Sequence, residues 1–371
     1  MSGAPYSLGF TTLTQEVDLP ELACDGRLPD WLRGSLLRTG PAAFEVGAQT
    51  YRHWFDGLAM LHRFRFADGR VAYANRYLRG QTYQAAMEHG GIQRGEFGTE
   101  PHRSLLQKAL PLRRRKPTDN GNVNTGRLGD SMVALTETPI PVRFDPERLD
   151  TLGAYRFQDD IAGQITTAHP QFDGERRRLY NYLLEFGRSS KYHLYGIDAD
   201  TAARRRIASI PVREPAYMHS FGMSGRYLIL TEFPLVVNPL QLLLGGKPFI
   251  ENYRWRPERG TVFHIVDKDS GEVVKSTRGE PFFAFHHVNA FERDGEVVVD
   301  LVAFPDASVI DQLYLGRLRS GQPVTATGRL QRIRIGLGAG DSVTTELLAE
   351  SPLEFPRFND SICAMRPYRY A

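Results

Sequence analysis

The stretch Phe282-Phe283-Ala284-Phe285-His286-His287-Val288-Asn289-Ala290-Phe291 sets two adjacent histidines inside an aromatic run with the character of a strand. A turn signal, Glu292-Arg293-Asp294-Gly295, follows it, and then a second strand, Glu296-Val297-Val298-Val299-Asp300-Leu301-Val302. Successive side chains of a strand point to opposite faces, so only one of the two imidazoles can face a given site. A buried imidazole needs a hydrogen-bond partner or a metal. On this stretch alone, a satisfied core histidine and a metal ligand are both open readings.

The same strand character extends through most of the chain. Ser131–Glu137, Arg178–Leu184, Tyr192–Ile197, Arg226–Glu232, Thr261–Val266 and Glu296–Val302 all read as strands, separated by Gly, Asp and Pro turns. Helical periodicity is confined to Thr82–Glu88 and Val309–Leu318. Three turns share one form, strand then acidic turn then strand: Phe144-Asp145-Pro146-Glu147, Ile197-Asp198-Ala199-Asp200 and Val266-Asp267-Lys268-Asp269-Ser270-Gly271. They recur at intervals of about 50 to 70 residues, close to the period of a propeller blade. A propeller protects its strand edges by radial repetition around an axis, whereas a two-sheet sandwich is the alternative for the same pattern.

A chain of 371 residues allows one large domain or two ordinary ones. Its 41% hydrophobic and 24% charged residues are those of a soluble globular protein. A net charge of +3 is too small to argue for nucleic acid. Two cysteines, Cys24 and Cys363, give no disulfide framework and point to the reducing cytoplasm. The N-terminus lacks a basic segment followed by an apolar core, so no secretory signal is expected. No apolar run is long enough to span a bilayer, which leaves only peripheral membrane contact.

Further histidines fall in phase with the repeat. His169 in Thr166-Thr167-Ala168-His169-Pro170 precedes the second acidic turn, His219 in Tyr217-Met218-His219-Ser220-Phe221 precedes the third, and His286 begins the next unit. If the repeat is radial, the three converge on one axis, where residues from separate blades can hold a metal. Glu137 and Glu354 lie in apolar surroundings. A buried carboxylate needs donors, and a ligating histidine has a spare ring N–H to give. Surface glutamates at strand ends are the alternative reading.

Together these motifs resemble the carotenoid cleavage oxygenases. Leu32-Arg33-Gly34-Ser35-Leu36-Leu37-Arg38-Thr39-Gly40-Pro41, His53-Trp54-Phe55-Asp56-Gly57-Leu58-Ala59-Met60-Leu61-His62, Glu96-Phe97-Gly98-Thr99, Thr118-Asp119-Asn120-Gly121-Asn122-Val123-Asn124 and Phe285-His286-His287-Val288-Asn289-Ala290-Phe291-Glu292 carry the likeness. It implies one all-β domain over residues 1–371, a seven-bladed propeller with short helices and loops capping its top face. It also implies Fe(2+) on the axis, with His169, His219 and His286 as ligands. Glu137 and Glu354 would orient His219 and His286 from behind, and His287 would point away. His53 and His62 read as structural. The family's fourth ligand lies in a later segment. No histidine follows His287 here, so the last blades and that ligand are expected to be missing.

Imidazole binds Fe(II) without adding anionic charge. The resemblance implies O2 and an apolar polyene as reactants, with cleavage of a C=C bond of a carotenoid or apocarotenoid into aldehyde or ketone products. Selectivity would come from tunnel shape, for which Phe97 and Thr136 are the candidates. A related branch cleaves stilbenes and carries a lysine where Thr136 stands, which favours an apolar substrate here. An inactive paralogue or a carotenoid-binding protein is the remaining alternative. Leu105, Leu106, Leu110 and Leu112 followed by Arg113, Arg114 and Arg115 suit contact with an anionic membrane surface, at the inner face of the cell membrane. A solvated charged loop is the plainer reading of the same run. Leu240-Gln241-Leu242-Leu243-Leu244-Gly245 offers a second apolar contact.

Overall fold

A computed structural model of the chain describes residues 5–101, 116–244, 246–340 and 342–371. Five antiparallel sheets follow one another along the sequence, four of four strands and one of five. The first pairs Gly34–Ala43, Leu58–Ala67 and Arg70–Tyr77, with Asp18–Leu19 on its outer edge. The second holds Asn124–Leu128, Ser131–Leu135, Val142–Phe144 and Thr151–Ala154. The third holds Ile165–Thr166 and Gln171–Asp173, both paired to Arg178–Glu185, then Ser190–Asp198 and Arg204–Val212. The fourth runs Gly222–Met223, Tyr227–Glu232, Thr261–Asp267, Val273–Gly279. The fifth runs Phe283–Arg293, Glu296–Phe304, Arg329–Gly336, Val343–Leu347.

The core lies between consecutive sheets. Leu228 and Leu230 pack toward the third sheet against Tyr182 and Leu194. Their neighbours Tyr227 and Ile229 pack toward the fifth, against Val297 and Val299. One strand thus buries both faces, each against a different neighbour, as period-2 side chains of a stacked blade must. A further core joins sheets one and two through Leu61 and Val142, and another joins sheets two and three through Val133 and Leu183. Gly34–Ala43 touches Asn124–Leu128, and Gly222–Met223 touches Phe283–Arg293, so the leading strands of successive sheets meet. This is propeller architecture rather than a sandwich, and the described sheets do not close into a ring.

The three acidic turns occupy one position, between the last two strands of sheets two, three and four. In each, an aspartate Oδ1 accepts two backbone N–H bonds: Asp145 from Glu147 and Arg148, Asp198 from Asp200 and Thr201, and Asp267 from Asp269 and Ser270. The side chain replaces the ladder partner that the backbone loses as it turns. The residue four positions on takes positive φ in all three, at Leu149, Ala202 and Gly271. At Gly271 a Cβ would lie 2.1 Å from the Ile207 carbonyl oxygen, so no side chain fits there.

Two predicted elements differ from those observed. The strand from Ser131 stops at Leu135, leaving Thr136 and Glu137 in the following loop. Pro139 and Pro141 have no N–H with which to extend the ladder. The helix over Val309–Leu318 is divided into Ser308–Gln312 and Leu315–Arg319. The break arises where Trp54 N–H donates to Leu313 O at 3.1 Å and Leu315 N–H donates to Arg52 O at 2.8 Å. These bonds dock a cap from the fifth sheet onto the first. The helix Gln81–His89 covers the predicted Thr82–Glu88.

Sheets three and four are also tied by a buried ion pair. Lys268 Nζ lies 2.7 Å from Asp173 Oδ2, and neither side chain has any solvent exposure. Burial alone would raise the Asp173 pKa, but Lys268, Arg176 and the Arg176 backbone N–H together hold it below its ordinary value. Removing one member of such a pair leaves an uncompensated charge. Asp173→Ala is therefore expected to cost about 3–5 kcal/mol in urea unfolding, and Lys268→Met added to the same chain should recover most of that loss.

Candidate metal centre

His169, His219 and His286 come from three different sheets, and each can offer a ring nitrogen such that all the nitrogens lie within 4.8 Å of one another. His169 sits between the two short leading strands of sheet three, His219 just before the leading strand of sheet four, and His286 within that of sheet five. His169 Nε2 is 2.9 Å from His219 Nε2. The His286 ring stands nearly perpendicular to both others, with centroids at 5.2 and 5.0 Å.

Local structure aims each ring. Thr167 Oγ1 accepts from the His169 backbone N–H at 3.0 Å and donates to the His219 carbonyl, tying two of the three histidines through one hydroxyl. The strand Phe283–Arg293 shifts register on either side of His287. Such bulges re-aim side chains near functional sites. His286 faces the cluster, whereas His287 turns away to Ser220 Oγ at 2.8 Å and Thr231 Oγ1 at 3.0 Å.

Two carboxylates stand behind the rings. His219 Nδ1 is 2.7 Å from Glu137 Oε1, and His286 Nδ1 is 2.6 Å from Glu354 Oε2. A carboxylate at Nδ1 places the ring proton there and leaves Nε2 as a bare lone pair. Glu354 Oε2 also accepts from the Phe355 backbone N–H at 2.6 Å. Its other oxygen is buried with no hydrogen-bond partner among the described residues. Glu137 follows the second strand of its sheet, whereas Glu354 lies beyond the last strand of sheet five, so the two do not occupy equivalent positions.

Burial and neighbouring charge keep His169 and His219 neutral. Burial pushes His219 down to about 3, and a positive charge on His286 would push in the same direction. His169 is held well below the ordinary histidine value by burial, then by the other two rings and Arg357. Burial pushes Glu137 up to about 8, opposed by a hydrogen bond from Tyr217. Three imidazole nitrogen donors converging on one point, two of them with a carboxylate at the far nitrogen, fit a first-row divalent cation.

Aromatic rings surround the cluster. Phe285 stands edge-on to His219 at 5.6 Å, Phe55 lies 5.8 Å from Phe285, and Phe97 lies 5.4 Å from Phe55. Phe97 therefore reaches the cluster through two intervening rings. Thr136 is half-buried beside Glu137. The Phe355 ring lies 5.3 Å from His286 and is 69% exposed. Phe55, Phe285 and Phe355 were not singled out in the sequence, although Phe285 and Phe355 adjoin His286 and Glu354. His53 is buried, with Nε2 2.9 Å from the Ile310 carbonyl, and His62 Nδ1 lies 2.8 Å from Tyr73 OH. Both serve packing. The residues Leu105, Leu106, Leu110, Leu112, Arg113, Arg114 and Arg115 lie outside the described residues.

The model of the retinal pigment epithelial membrane protein family matches residues 10–371. A carotenoid isomerooxygenase of Galleria mellonella is 33% identical, covering 96% of this chain and 74% of its own length. A beta,beta-carotene 15,15'-dioxygenase of Gallus gallus is 35% identical, covering 79% of this chain and 60% of its own. The chain thus spans about three fifths to three quarters of these relatives. Among solved structures, cobalt-substituted Synechocystis apocarotenoid oxygenase superposes with a TM-score of 0.84 at 27% identity, covering 99% of this chain and 77% of that one.

Glu137→Gln and Glu354→Gln each replace the carboxyl group that fixes a ring with an amide. Each is expected to weaken Co(II) binding by about 10–100-fold, measured by titration of the metal-free protein.

Proposed function

We propose that this chain, which belongs to the carotenoid cleavage oxygenase family, uses Fe(II) held by His169, His219 and His286 to cleave a C=C bond of a carotenoid or apocarotenoid with O2. The carrying observation is the convergence of three imidazoles from three sheets, two of them backed by carboxylates. Bound Fe(II) would supply the one-electron chemistry towards O2 that no side chain of the chain can supply. Both oxygen atoms end in the products, a pair of aldehydes or ketones, so no further reductant is consumed.

The protein's own part is binding, orientation and exclusion of water. His219 and His286 present Nε2 because Glu137 and Glu354 hold Nδ1–H. A polyene offers no group for acid–base catalysis, so its position must come from shape and apolar contact. Phe285, Phe55 and Phe97 form a continuous aromatic path from His219. Their π faces also favour a cationic or radical polyene. Thr136 before Glu137, with no lysine there, and Phe97 without a hydroxyl favour an apolar substrate over a phenolic one.

We place substrate entry at a membrane surface. Leu240, on the helix Pro239–Leu244, is 66% exposed, while Leu242 of the same helix packs on the core that also holds Phe97 and Phe249. An exposed apolar residue on a helix anchored to that core suits contact with a lipid surface. The Leu105–Arg115 run belongs to the same proposal, as does a cytoplasmic location with peripheral contact at the inner membrane face.

The test is the iron-loaded protein incubated with an apocarotenal or with resveratrol, under O2, with products separated by HPLC and identified by mass. Two carbonyl fragments from the apocarotenal are expected, absent in His219→Ala. Cleavage of resveratrol alone would favour stilbene cleavage. Full iron loading with the apocarotenal bound and intact would favour a carotenoid-binding protein.

A further inference from the structure

The structure assigns Tyr217 as a positioning residue for the metal centre, acting through the carboxylate that holds His219. The assignment rests on the metal-site reading given under Proposed function. Tyr217 is 2% exposed, and its hydroxyl donates to Glu137 Oε1 at 2.9 Å. That oxygen is the one His219 Nδ1 approaches at 2.7 Å. A buried tyrosine hydroxyl must find a partner. Here it uses the atom on which the orientation of a candidate ligand depends.

The backbone makes this sharing possible. Tyr217 and His219 both direct their side chains to Glu137 Oε1, while Met218 between them packs elsewhere. Met218 packs in the core between sheets three and four, and Tyr217 in the core between sheets four and five. The segment is pinned along its length. Ala216 N–H donates to Tyr192 OH at 2.7 Å, Tyr217 N–H to Leu235 O at 2.9 Å, Tyr182 OH to the Met218 carbonyl and Thr167 Oγ1 to the His219 carbonyl. Glu137 is pinned from its own side, its carbonyl accepting from Thr166 N–H at 2.8 Å. Two donors on fixed backbones therefore hold one carboxylate oxygen from two directions.

The ring of Tyr217 faces the aromatic path. It lies 5.5 Å from Phe97, 6.0 Å from Tyr253 and 6.3 Å from Phe283. One residue thus contributes a ring to the lining and a hydroxyl to the carboxylate behind His219. Tyr217→Phe keeps the first contribution and deletes the second, which separates packing from positioning.

The experiment titrates Co(II) into metal-free wild type, Tyr217→Phe, Glu137→Gln and the double variant, recording affinity and the visible ligand-field bands, with urea unfolding of each metal-free protein alongside. Tyr217→Phe is expected to bind Co(II) up to about 10-fold more weakly, with shifted bands and an unfolding midpoint close to that of wild type. The double variant is expected to be no weaker than Glu137→Gln alone, because the hydroxyl acts only through that carboxylate. Wild-type affinity and bands in Tyr217→Phe would overturn the assignment while leaving the metal site standing. So would a loss that adds fully to that of Glu137→Gln, or one matched by a fall in the unfolding midpoint. A wild type that binds no Co(II) would overturn both the metal site and this assignment.

Discussion

Three imidazoles brought together at one point are the constraint from which the rest of the site follows. Each ring is taken out of water at a cost, and each must find hydrogen-bond partners or a cation. For His219 and His286 the protein supplies a carboxylate on the far nitrogen. These bonds also join parts of the chain 82 and 68 residues apart. Glu137 reaches from the loop after the second strand of sheet two to the chain entering sheet four, across sheet three. Glu354 returns from beyond sheet five to the leading strand of that sheet. The site and the arrangement of the sheets are therefore one structure: moving a sheet would move a ligand.

The scaffold keeps its polar and apolar demands apart. Alternate residues of each inner strand bury against alternate neighbours, so the sheets are apolar on both faces. The turns that must leave this arrangement carry an aspartate that receives the freed N–H groups. Where a charge is buried between sheets, as at Lys268, it meets its counter-charge with full exclusion of water. The cap formed by Ser308–Gln312 and Leu315–Arg319 binds residues 52–54 through the backbone bonds of one isolated antiparallel bridge, His53 to Tyr314, which ties the cap to the chain entering the first sheet.

The aromatic surroundings match the chemistry proposed for the centre. A substrate without polar handles can be held only by shape and by π faces, and the residues between Phe97 and His219 provide both. Tyr217 belongs to that wall and to the carboxylate behind the ligand, so its ring and its hydroxyl answer to two different needs.

Local sequence pattern was enough to determine strand character, the repeated acidic turn and the presence of one histidine in phase with each of three repeats, because period-2 burial and turn chemistry act over a few residues. The family likeness, rather than spacing, pointed to Glu137 for His219 and Glu354 for His286. Those pairs are 82 and 68 residues apart, and no local periodicity links them. Only the tertiary structure decided that the three rings lie within reach of one ion, that register shifts flank His287, that Phe55, Phe285 and Phe355 stand around the cluster, and that Tyr217 shares an oxygen with His219. The physical reason is common to all four. Each depends on how strands pair and sheets pack against one another, which local pattern does not fix.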